Sequence, residues 1–186
     1  MQWPKLRKSR ETDNSPLAKR LRRLADKLDE LPAKDALRVR QARELEDQQR
    51  KAALDLHQKC RSLVTTLNGM LERMILQYAP ESFDPDRIFA VSETLFQINA
   101  NGRLIQVVIH SPENGPSTEH FYIPYVLKAS IRWFNQDLLD RDQVQENHLF
   151  YCVGRGASGW RYFDPRSRRD GPADDEFFAD ALEQLL

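Results

Sequence analysis

Residues 93–110 carry the sequence ETLFQINANGRLIQVVIH, and this stretch decides the fold class. Apolar and polar side chains alternate on both sides of Asn101-Gly102, and a period of two is typical of a β-strand. Asparagine and glycine both tolerate the positive φ of a type I′ turn. A two-residue turn fixes the register, so the sequence predicts an antiparallel hairpin in which Phe96 faces Val107 on an apolar face.

The rest of the C-terminal half extends this hairpin into a small sheet with helices. Residues 119–123 are typical of a third strand, and residues 148–153 with 159–164 of a second hairpin. Apolar residues at helical spacing predict an amphipathic helix over about 127–138 and a last helix over about 174–186. The predicted class is therefore α+β, with a small antiparallel sheet packed against helices.

The N-terminal half is predicted to be helical. Ser15-Pro16 is typical of a helix start. Leucines then recur at heptad spacing, namely Leu17, Leu21, Leu24, Leu28 and Leu31. Pro32 lacks an amide donor and is expected to end or kink this helix, and a second helix is expected from about Lys34 to Ala79. These two long N-terminal helices predict a helical hairpin and the element order α-α-βββ-α-ββ-α.

Composition divides the chain into three predicted segments. Residues 1–14 are polar and basic, which indicates a flexible arm. Residues 15–56 are interpreted as an extended helical segment with a thin apolar stripe. Residues 57–186 are interpreted as a compact α+β domain, because the stripe widens after Leu56 as it does in helices that pack on a sheet.

The chain carries no net charge, because 28 basic side chains balance 28 acidic ones. This balance argues against a general attraction to nucleic acid or to anionic membranes. The ends differ: residues 1–28 hold nine basic and three acidic side chains, whereas residues 170–186 hold six acids and no base. Two cysteines without paired spacing, and the lack of a long apolar run, predict a cytoplasmic protein with no membrane partner.

The helical leucines form the first candidate site. A thin heptad stripe suits pairing with one neighbouring helix, from the same chain or from another. The candidate interface residues are Leu17, Leu21, Leu24, Leu28, Leu45 and Leu56. The leading hypothesis is therefore a non-enzymatic interaction or adaptor-type protein that binds a protein partner or itself, with a homodimer slightly favoured.

A second candidate site combines arginines with aromatic residues near the predicted second hairpin. Such a combination can hold a nucleic-acid strand or another polyanion, since arginine pairs with phosphate and aromatic rings stack on bases. Its residues are Arg155, Trp160, Arg161, Arg166, Arg168 and Arg169. The alternative hypothesis is a weak binder of nucleic acid through this hairpin and the basic arm.

An enzyme with a dispersed site is the third hypothesis. The chain has no Gly-x-Ser-x-Gly nucleophile motif and no Walker loop. The pairs His57/Cys60 and His148/Cys152 each have a spacing that would suit soft metal ligands, but nothing in the sequence brings the two pairs together. No catalytic residue, cofactor or metal site is predicted.

Overall fold

The computed structural model describes residues 15–73, 75–134, 145–154 and 158–184. Two compact units are distinguished, Met1–Gln41 and Ala42–Leu186, and each is described by itself. One long helix, α1 (Pro16–Asn68), contributes to both. The later elements are β1 (Gln77–Ala79), α2 (Arg87–Ala90), β2 (Glu93–Ala100), β3 (Arg103–His110), β4 (Tyr125–Phe134), β5 (Gln145–Cys152), β6 (Gly159–Asp164), β7 (Arg169–Pro172) and α3 (Asp175–Glu183).

The strands of the described residues form one seven-stranded sheet in which each strand pairs antiparallel with the next along the chain. The α+β class, with an antiparallel sheet and a long N-terminal helix, is thus confirmed. The hairpin at residues 93–110 is also confirmed. Asn101 and Gly102 have φ values of 54° and 90° at its tip, and Phe96 pairs with Val107.

Strand β4 replaces the helix predicted over 127–138, so that prediction is wrong for the described residues. Two apolar residues of the predicted helical stripe, Leu127 and Ile131, also fit the two-residue period of a strand. In the structure Leu127, Ala129, Ile131 and Trp133 all lie on one buried face, and Lys128, Ser130 and Arg132 alternate with them on the other. Pairing with β3 and β5 on both sides stabilises the strand over the helix.

The segment before β4 is not a strand, in contrast to the prediction for residues 119–123. A single bridge joins Ser117 to Tyr125. The ring of Phe121 stacks on Phe150 with centroids 4.9 Å apart, and Tyr122 is 67% exposed. The segment thus contributes side chains that cover part of the sheet rather than backbone that extends it.

Helix α1 runs through Pro32, so the predicted helical hairpin is wrong. Proline removes one intrahelical hydrogen bond, but the alanine, leucine and lysine residues around it are strong helix formers. The helix ends at Asn68 rather than near Ala79. Asn68 exchanges two hydrogen bonds with the backbone of Leu76, at 2.8 Å and 2.7 Å.

The C-terminal part of α1 packs on one face of the sheet, which we call the inner face. Its residues Ala52, Ala53, Leu56 and Cys60 are completely buried. The side-chain amide of Gln49 donates to the backbone oxygen of Val126 at 3.0 Å. The apolar stripe of α1 after Ala42 is therefore covered by the chain's own sheet.

Helix α3 packs beside α1 on the same inner face. Phe178 and Ala181 are buried, and the indole nitrogen of Trp133 donates to the backbone oxygen of Ala181 at 2.6 Å. The Asp174 side chain accepts a hydrogen bond from the amide of Phe177 at the start of the helix. The predicted C-terminal helix, its acidic start and its buried residues Phe178 and Ala181 are confirmed within the described residues.

Replacing Leu56 by alanine is expected to destabilise the fold by about 2–5 kcal/mol, because a fully buried leucine leaves a cavity. The matched control is Leu37→Ala on the same helix, where the leucine is 44% exposed and lies outside the heptad leucines, so the change should stay within about 0.5 kcal/mol. Urea unfolding followed by the fluorescence of Trp133 and Trp160 measures both. Equal losses for the two variants would contradict the burial described here.

Candidate protein interface

The leucine stripe of the N-terminal unit is exposed. Within residues 15–41, every leucine at the heptad spacing lies open among the described residues, with exposed fractions of 65% for Leu17, 55% for Leu21, 47% for Leu24, 63% for Leu28 and 47% for Leu31. A continuous row of large apolar side chains is unusual on a solvated surface and marks interaction sites.

Basic residues border this stripe on one side and small residues on the other. If Leu21 and Leu28 take heptad position a, position g holds the basic residues Arg20, Lys27 and Lys34, and position e holds mainly small ones, Ala18, Ala25, Pro32 and Val39. In this segment Lys34 pairs with Glu30 at 2.7 Å, a pair that lies along the helix itself. Only one of the two edges of the stripe, the g edge, is thus positively charged.

The other two candidate interface leucines lie in a different environment. Leu56 is fully buried, and Leu45 is partly buried against the same core. Both leucine side chains pack against the inner face of the sheet in the second unit. The structure therefore places Leu17, Leu21, Leu24 and Leu28 on an open stripe of the first unit, whereas Leu45 and Leu56 belong to the core of the second.

The arginine candidates do not form one surface with the aromatic ring. Trp160 is buried on the inner face, and its indole nitrogen donates to the backbone oxygen of Ala52 at 3.1 Å. Arg161, the next residue, points to the opposite face and pairs with Asp170 at 2.8 Å. Successive side chains of a strand alternate between the two faces, which explains this separation.

The remaining arginines lie at the turn between β6 and β7. Arg166, Arg168 and Arg169 are exposed there, and Arg168 has a positive φ of 57°. Arg155 lies outside the described residues. Because Trp160 is buried, its ring is not available to stack on a base beside these arginines, and polyanion binding stays a hypothesis.

The two histidine–cysteine pairs lie on opposite faces of the sheet. His57 and Cys60 belong to the buried face of α1, whereas His148 and Cys152 lie on the outer side of β5. Burial raises the pKa of Cys60 to about 12 and that of Cys152 to about 11. Across the described residues, no group of three or more histidine, cysteine or acidic side chains is arranged to hold a metal ion.

His57 is a core residue rather than a site residue. It is 4% exposed, its Nδ1 lies 2.8 Å from the Tyr78 hydroxyl, and its ring contacts Phe83 and Phe96. Burial lowers the pKa of His57, with the positive charge of Arg61 as a smaller cause. The core that surrounds the imidazole therefore favours its neutral form.

Glu93 and His110 could serve in acid–base chemistry, but neither contributes to three clefts that lie among the described residues. Glu93 and His110 lie 3.6 Å apart at the ends of β2 and β3, and both are partly solvated. A separate cleft of about 360 Å³ is lined by Lys51, Asp55 and Lys59 of α1 beside the N-terminus of α3. Neither Glu93 nor His110 lines this cleft.

No protein-family model matches the chain, and no curated protein or solved structure shows detectable similarity to it. None of the helices in the described ranges is both long enough and apolar enough to cross a membrane.

Acidification is expected to weaken the fold through its buried histidine. The folded-state pKa of His57 lies below the ordinary value of 6.5, so below about pH 6.5 the unfolded chain binds a proton that the folded chain resists. Stability should fall as pH drops from 6.5 towards the folded-state pKa. Urea unfolding at pH 7.5 and 5.5 measures this loss.

His57→Leu removes this titrating group and should reduce the loss between the two pH values, even if the variant is less stable overall. His120→Leu is the control, because His120 is exposed on a loop. The same pH-dependent loss in wild type and His57→Leu would show that another group causes it.

Proposed function

We propose that the protein is a non-enzymatic interaction protein that self-associates through its leucine stripe, defined as Leu17, Leu21, Leu24, Leu28 and Leu31. The observation that supports this function is the exposure of all five side chains, at 47–65%, on one regularly spaced row. Covering such a row removes apolar surface from water at about 25 cal/mol per Å². A second copy of the helix has the same spacing and can supply the cover.

The charges beside the stripe favour a parallel arrangement of two copies. In a parallel pair, position g of one helix lies opposite position e of the other. Arg20 then faces the Ala25 side of its partner, and the stem of the arginine covers apolar surface while its charge stays in water. An antiparallel pair would bring the basic g positions of the two copies together, and like charges repel.

The chemistry of the cysteines fits this proposal and a reducing compartment such as the cytoplasm. Cys60 and Cys152 are both unpaired and buried. Because both thiols are buried, neither is placed to form a disulfide with a second copy. The proposed association therefore depends on helix packing. The seam covers only about two heptads, and we expect an equilibrium between monomer and dimer that shifts with concentration.

Replacing Leu21 and Leu28 together by glutamate is expected to keep the protein monomeric, because charge would be buried in the seam. The control is Ala33→Glu with Ala36→Glu, which adds the same charge on exposed positions of the helix outside the stripe. Sedimentation velocity from low to high micromolar concentration should show a rising mass for wild type and control. A wild-type protein that stays monomeric throughout this range would refute self-association.

The parallel arrangement predicts disulfide cross-linking at one position. Leu17→Cys should give a covalent dimer under mild oxidation, because Leu17 lies next to its own copy in a parallel pair. The native Cys60 and Cys152 should stay inert, since their raised pKa values disfavour the thiolate. Cross-linking only between a Leu17→Cys chain and a Leu31→Cys chain would instead establish the antiparallel arrangement.

A further inference from the structure

The side of the sheet away from α1, which we call the open face, has unmet hydrogen-bonding groups. In the described part of the chain, five buried side-chain atoms have no partner: Thr94 Oγ1, Tyr125 OH, Ser130 Oγ, His148 Nδ1 and Arg161 Nε. All except the Thr94 hydroxyl belong to the open face of β4, β5 and β6. Buried polar groups are almost always paired in proteins, so this concentration points to a group that is bound there.

Ser130 and His148 form the centre of this region. They are direct cross-strand partners in the β4–β5 register. Ser130 has 0% exposure and is the most deeply buried polar residue of the open face. Its hydroxyl and the nearby imidazole can both donate a hydrogen bond, depending on the histidine tautomer.

Charged residues flank Ser130 on its own strand. Arg132 pairs with Glu146 of β5 at 3.2 Å, and this pair is neutral as a whole. Lys128 lies two residues away from Ser130 on the other side and is half-buried, with no carboxylate paired to it among the described residues. The region therefore combines a half-buried positive charge with a hydroxyl and an imidazole nitrogen that have no hydrogen-bond partner.

We propose that the open face around Lys128, Ser130 and His148 binds an oxyanion, either a carboxylate or a phosphate. The anion would accept hydrogen bonds from the ammonium group, the hydroxyl and the imidazole, and it would neutralise the unpaired lysine. The stem of Lys128 is flexible, so this side chain can turn outward and admit the anion above Ser130. This site is independent of the leucine stripe, so either proposal can fail without the other.

The surroundings of His148 make it a reporter of binding. Lys128 and Arg132 of β4, Glu146 of its own strand and His120 of the loop before β4 face it with ionisable groups, and β6 contributes the uncharged ring of Phe163. Burial, and then the charge of Lys128, lower the pKa of His148. A bound anion offsets the charge of Lys128 and accepts a hydrogen bond from the protonated ring, so we expect it to raise this pKa.

The test is an NMR titration of the histidine imidazole signals of the full chain with inorganic phosphate and, separately, with glutarate, at constant pH and ionic strength. We expect a saturable shift of the His148 signal with at least one of the two, and a pH titration repeated with that probe at saturation should give a higher His148 pKa. The probe that saturates at the lower concentration identifies the anion class. A shift that stays linear, or no shift with either probe, overturns the site.

Variants of Lys128 test whether this lysine is part of the site. Lys128→Met keeps the apolar stem and should weaken binding about tenfold or more, because a charge-assisted hydrogen bond is lost. Lys128→Arg should retain binding, and Lys59→Met on α1 is the control for loss of a lysine elsewhere. Unchanged affinity in a folded Lys128→Met protein overturns the proposal.

Discussion

The close approach of α1 to the sheet at Ala52 is the constraint on which the second unit depends. Ala52 and Ala53 are completely buried, and the Ala52 carbonyl accepts a hydrogen bond from the Trp160 indole at 3.1 Å. One turn earlier, Gln49 donates to the backbone oxygens of Val126 and Glu113, both at 3.0 Å. Alanine permits this distance, since a larger side chain would push the helix away and break these bonds.

The same helix meets two different environments, and the proposed function follows from the difference. Beyond Ala42, apolar residues of α1 are covered by the sheet, whereas within residues 15–41 the leucine stripe has no cover among the described residues. An isolated amphipathic helix gains most of its stability from packing of its apolar face. A second copy of the chain is therefore expected to stabilise α1 most at the N-terminal leucine stripe.

Much of the fold follows from local chemistry. Asn101-Gly102 fixes both the turn and the register of the first hairpin, so the positions of Phe96 and Val107 could be predicted from adjacent residues alone. The leucine stripe could be found in the same way, from its spacing.

The parts that could not be predicted depend on contacts between distant residues. Leu127 and Ile131 fit a helix and a strand equally well, and pairing with β3 and β5 decides between them. The alternation of Lys128, Ser130 and Arg132 with apolar residues was the available signal for the strand. The open-face site was missed for the same reason, because Ser130 meets His148 only once the β4–β5 register is known.

Hydrogen exchange along α1, measured at low and high protein concentration, tests the central claim most directly. Amides of residues 49–64 should exchange only through global unfolding at both concentrations, because the sheet of the same chain covers them. Amides of residues 17–31 should exchange faster in dilute solution and become protected as concentration rises. Equal protection of both segments in dilute solution, or no response of residues 17–31 to concentration, would contradict the division of α1 into a self-covered part and a part that binds another copy.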